Sequence, residues 1–75
     1  MAALPTVTAS AALRAFEAAG LRVVRTTGSH HILKKPGHRN NLSIPKHATS
    51  DLKPGLLRNQ IQKAGLTVEE FIALL

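Results

Sequence analysis

The chain has 75 residues and no cysteine, and its ten Lys and Arg face four Asp and Glu, a formal net charge of +6. That length allows one small domain, residues 1–75, with a thin core, because a domain of this size buries only ~60% of the surface its unfolded chain exposes. These facts exclude a deep active-site cavity, a disulfide framework and a thiolate metal site, and the charge favours a polyanionic partner, nucleic acid first.

The charge is unevenly spread. Between Leu21 and Ser50 stand Arg22, Arg25, Lys34, Lys35, Arg39 and Lys46 with no acid among them, while Glu17, Asp51, Glu69 and Glu70 lie elsewhere. A role in solubility alone leaves that clustering unexplained. No apolar run approaches the ~20 residues of a membrane-spanning helix. The opening MAALPTVTASAAL lacks a basic n-region and contains Pro5, so residues 1–7 are expected as a flexible lead rather than a signal peptide. The lack of cysteine fits a reducing cytoplasm.

A first helix is predicted from Thr8 or Ser10 to Ala19. Ala12, Leu13, Phe16 and Ala19 form one apolar stripe, Thr8 or Ser10 can cap the start, and Gly20 can take the left-handed position at the end. LRVVRTT then reads as a strand from Leu21 to Thr26, and HHILKK as a second from His30 to Lys35. The short connection Thr27-Gly28-Ser29 makes the two an antiparallel hairpin. Pro36-Gly37 suits the central positions of a type II turn. Asn41 to Pro45 makes a third strand, with Leu42 and Ile44 on one face and Ser43 on the other. Pro45 ends it, having no N–H for the ladder.

The loop KHATSDLK leads to Pro54, which suits the first position of a helix running to Ala64 with Leu57, Ile61 and Ala64 on its core face. Gly65-Leu66 repeats the ending at Gly20-Leu21. Thr67 and Glu70 form a capping box, flanked by Leu66 and Phe71 as a hydrophobic staple, and a short third helix runs to the end. The order is α-β-β-β-α-α. Three antiparallel strands bury one face if both longer helices lie on it, which gives a two-layer α+β domain of double-stranded-RNA-binding-domain type with a short extra helix.

The chemically suggestive stretch is Gly28-Ser29-His30-His31. With His38 and His47 it offers four histidines, but neighbours in a strand point to opposite faces, so His30 and His31 cannot easily grip one ion. No acid lies nearby and the spacing matches no usual zinc pattern. No metal and no cofactor are therefore expected. A histidine can both take and give a proton near neutrality, and RNA carries its own nucleophile in the 2′-hydroxyl. A ribonuclease needs a base, an acid and positive charge for the phosphate. Glycine at 28 allows close backbone approach and leaves N–H groups for a phosphate oxygen. On these four residues alone, a surface histidine at a strand start remains the simpler account.

GSHHILKKPG, LSIPKH, LKPGLLRNQIQKAGL and TVEEFIALL, in that order, resemble the HicA family, toxins of HicA–HicB toxin–antitoxin systems. The resemblance spans about Gly20 to the C-terminus, and the predicted first helix fits the family's order as well. It implies a fold like that of a double-stranded-RNA-binding domain, translation-independent cleavage of messenger RNA, and neutralisation by a HicB-like antitoxin that covers the active surface. It also implies that His30, directly after Gly-Ser, is catalytic, and that Gly28 matters to toxicity. The chain departs from many members in having Leu21 and Leu33 where they carry aromatics.

Around His30, Ser29 is expected to orient the ring or contact phosphate, unless it is a plain turn residue. His31 faces away and reads as structural. His47 is a candidate second proton-transfer group, with a solvated loop histidine as the alternative. Arg25, Lys34, Lys35, Arg39 and Lys46 are the expected RNA contacts, and Arg58 is a further candidate for RNA or for an acidic antitoxin surface. With no Trp or Tyr, base stacking on aromatics is nearly closed off, and binding must rest on phosphate contacts. A noncatalytic RNA-binding module of the same fold, or a domain that only binds a partner protein, are the rival readings.

Overall fold

Alanines at positions 9, 12 and 15 give the first helix a flat side, and that side lies against the sheet. A computed structural model describes residues 4–37, 41–45 and 51–75. Its elements run α1 (Ala9–Ala18), β1 (Arg22–Thr26), β2 (His30–Lys34), β3 (Asn41–Pro45), α2 (Pro54–Lys63) and α3 (Val68–Ala73). The strands form one antiparallel sheet in the order β1-β2-β3. The α+β layout expected from the sequence is the one observed, and each element falls within a residue or two of its predicted bounds.

Local chemistry sets the helix ends. Thr8 caps α1 by accepting the Ala11 N–H at 3.2 Å. At its other end, Gly20 has φ +101°, its N–H donates to the Glu17 carbonyl, and the Leu21 N–H donates to the Phe16 carbonyl. The same double closure recurs after α2, with Gly65 bonded to Gln62 and Leu66 to Ile61. Both are Schellman endings, which need a left-handed residue that glycine supplies without steric cost. The capping box of Thr67 and Glu70 opens α3. Pro36-Gly37 turns with Gly37 at φ +85°, as a type II turn requires.

The core lies between the helices and one face of the sheet. Leu33, Leu42 and Ile44 from the strands meet Phe16 of α1, Leu57 and Ile61 of α2 and Phe71 of α3, all nearly fully buried. The Phe16 and Phe71 rings sit 5.0 Å apart in a tilted arrangement, a geometry favoured by the ring quadrupoles. Val7 is also buried, and its carbonyl accepts the Leu52 N–H at 2.8 Å, beside a bridge between Thr8 and Asp51. Leu4 packs on the same core. Val7 is too apolar to leave in water when a core edge is within reach.

The two sheet edges differ. On β3, the Ser43 N–H donates to Oε1 of the buried Gln60, so α2 closes that edge with a side chain. On β1, every residue is exposed, and the pairing with β2 is broken by a bulge. Arg22 and Val23 stand opposite Lys34 and Leu33, but the next partner of Ile32 is Arg25, which leaves Val24 as the extra residue. No described helix is long and apolar enough to cross a membrane.

Candidate active site

Register decides which side chains share a face. Residues paired across an antiparallel sheet point the same way, and alternate residues point oppositely. His31 pairs with Ile44 and Leu33 with Leu42, which puts His31 on the helix-covered face. His30 pairs with Pro45, Ile32 with Ser43 and Lys34 with Asn41, so these six residues share the open face. The two adjacent histidines therefore point to opposite sides of the sheet. His31 is held there by a 3.1 Å hydrogen bond between its Nδ1 and Thr26 Oγ1.

His30 sits at the start of β2, beside the hairpin turn. The turn is tight: Thr27 N–H donates to the His30 carbonyl at 2.8 Å, and His30 N–H donates to Thr27 Oγ1 at 2.9 Å. The same hydroxyl also accepts the Ser29 N–H at 3.4 Å and donates to the His30 carbonyl at 3.2 Å. Neither Gly28 nor Ser29 has a positive φ, so the loop uses neither of the primed turns that favour two-residue hairpins. The Thr27 side chain holds it instead. Thr27 is the site residue that sequence reasoning misses, although a hydroxyl beside a Gly-Ser turn is the usual signal for such bonding.

Ser29 Oγ lies 2.9 Å from His30 Nδ1. This fixes the half-buried ring, and among the described residues Nε2 makes no hydrogen bond. A hydroxyl can donate or accept, so Ser29 suits either neutral tautomer and also the protonated ring. Gly28 differs from expectation. A Cβ built on it would meet nothing within 4 Å among the described residues, so none of them approaches it closely. The space beside it is open to solvent, next to His30.

The basic residues divide. Arg25 and Lys34 are exposed on the same open face as His30. Lys35, expected with them, alternates to the other side, where its Cε comes within 3.8 Å of a Cβ built at Gly20. Arg58 is exposed on α2 and lines a shallow groove of about 350 Å³ with Leu66, Val68 and Glu69, on an element away from the open face. Arg39, Lys46 and His47 lie outside the described residues, as does His38. Pro45, two residues before His47 in sequence, stands directly opposite His30. Among the described residues, no three His, Cys, Asp or Glu side chains gather at one point.

A family model for the HicA toxin of bacterial toxin–antitoxin systems matches residues 9–66. The chain belongs to the HicA family. No match was found among curated proteins. The matched span runs from the first residue of α1 through the end of α2, so it contains the whole sheet and the Gly28-Ser29-His30 turn. Membership makes the chain a toxin of a toxin–antitoxin system, whose counterpart is an antitoxin.

Proposed function

We propose that this HicA-family toxin is a metal-independent endoribonuclease that cleaves messenger RNA, with His30 as its proton-transfer residue. The observation that carries the reading is the setting of His30: Nδ1 is engaged by Ser29, and the ring stands on a sheet face that none of the described helices covers and that also presents Arg25 and Lys34. No described residue bonds Nε2, which leaves it for a substrate. The reaction requires no external nucleophile. A base takes the proton of the 2′-hydroxyl, the 2′-oxygen bonds to phosphorus, the P–O5′ bond breaks, and the 5′-oxygen leaves with a proton from an acid. The products are a 2′,3′-cyclic phosphate and a 5′-hydroxyl end.

His30 supplies one of these proton transfers, and His47 is the candidate for the other. Cationic side chains offset the charge that builds on the phosphoryl oxygens. The free space at Gly28 lets a phosphate lie against the turn, where the Gly28 N–H can donate to it, the Thr27, Ser29 and His30 N–H groups being engaged within the turn. A HicB-like antitoxin covering the open face would block RNA and ring together.

The test is cleavage of a messenger RNA in the presence of a strong chelator by the parent and by His30→Ala. General acid–base catalysis contributes roughly 10²–10⁴-fold, so the variant should lose at least a hundredfold in rate while still binding RNA. Parental cleavage by the variant would overturn the catalytic assignment and leave a noncatalytic RNA-binding role.

A further inference from the structure

The β1 bulge has a definite effect on charge. Arg22 and Arg25 are three residues apart, and a regular strand would send them to opposite faces. With Val24 as the extra residue, Arg22 pairs with Lys34 and Arg25 with Ile32, so both guanidinium groups fall on the open face with His30. Arg22 and Lys34 stand directly opposite each other. Like charges in that position repel and destabilise a sheet, and β1, β2 and β3 contain no Asp or Glu to relieve them. The uncharged Asn41 completes the row on β3. A bulge that gathers cations and an uncompensated cation pair are both explained if a polyanion lies there.

The row is also placed in a useful direction. Lys34 is four residues along β2 from His30, about 13 Å at the rise of a strand, and Arg25 flanks the path between them. We infer that Arg22 and Lys34 form a distal phosphate subsite for single-stranded RNA. A strand held there by one phosphate runs past Arg25 and presents a second, nearby phosphate to His30. This rests on the ribonuclease reading and extends it, because it makes RNA length a determinant of binding. A single strand fits better than a duplex: the 2′-oxygen in an A-form duplex is out of line with the leaving 5′-oxygen, and near-attack geometry needs that alignment.

The experiment separates the subsite from the chemistry by using uncleavable 2′-O-methyl oligonucleotides. Affinities of a two-nucleotide and an eight-nucleotide strand are measured against salt for the parent, for Arg22→Gln/Lys34→Gln, and for the control Arg14→Gln/Lys63→Gln. The octamer should bind the parent more tightly than the dimer. In the Arg22/Lys34 variant that advantage should fall at least about tenfold, and the octamer's log–log salt slope should drop by about 0.7, for the one phosphate no longer neutralised. The control should keep both. An unchanged advantage and slope in the Arg22/Lys34 variant, or tighter binding of a duplex than of the single strand, would overturn the subsite. Cleavage of the unmodified octamer by the parent is scored separately. Its absence would remove the nuclease reading while the length-dependent binding stood or fell on its own.

Discussion

Ser29 Oγ and His30 Nδ1 are 2.9 Å apart, so the residue next to the proposed catalytic group in sequence is also the one that orients its ring. Ser29→Ala removes that bond without touching the strand. The expected result is a fall in kcat of about tenfold, equivalent to one ordinary hydrogen bond of ~1–1.5 kcal/mol, with RNA affinity little changed. A loss confined to affinity would instead make Ser29 a phosphate contact.

Gly28 offers a cleaner separation of fold from function. Its φ is not positive and its would-be Cβ meets nothing within 4 Å among the described residues. Gly28→Ala should therefore keep or raise thermal stability, by up to about 1 kcal/mol through the unfolded chain. Its methyl group projects into the space proposed for phosphate, so RNA cleavage should drop severalfold or more. If the variant both melts higher and cleaves at the parental rate, the glycine has no role in substrate binding.

Thr27 holds the turn through one hydroxyl that bonds to Ser29 N, His30 N and the His30 carbonyl. Thr27→Val loses all three and should displace the His30 ring, lowering kcat more than it raises KM. Thr27→Ser keeps the hydroxyl and should recover most of the rate. Equal activity in the two variants would mean the backbone pair alone positions His30.

Gln60 is buried, with Oε1 3.1 Å from the Ser43 N–H at the β3 edge. Gln60→Leu fills the same space but leaves that donor without its partner, at a cost of about 1–3 kcal/mol. For a domain of this length each kcal/mol lowers Tm by roughly 4–8 °C. A Tm within about 2 °C of the parent would show that water replaces the amide.

The readable parts of this chain are those where local chemistry and global packing agree. Pro54 and the Leu57-Ile61-Ala64 stripe place α2, and the alternation in NLSIP places β3 with its observed bounds. His31's turn toward the helices follows from strand geometry. Other features depend on partners distant in sequence. Val23-Val24 between arginines looks like any strand, and only pairing with β2 reveals that one valine is extra. Gln60 lies three residues after Leu57 on the core stripe, so its burial has a periodic signal, but the N–H it satisfies belongs to Ser43. The backbone bond at Val7 likewise comes from Leu52, far along the chain. Within the site, the Ser29–His30 neighbourhood is legible from the motif, and the division of Lys34 from Lys35 by face follows from the same alternation that separates His30 from His31.

The opposed pair Arg22 and Lys34 gives dissolved salt two contrary effects. Ions compete with the phosphates of a bound strand and so loosen RNA. In the free toxin the same ions screen the two cations from each other and temper the net charge of +6, whose self-repulsion works against a folded chain. Raising ionic strength should thus make the unliganded protein harder to melt while it makes the complex easier to separate.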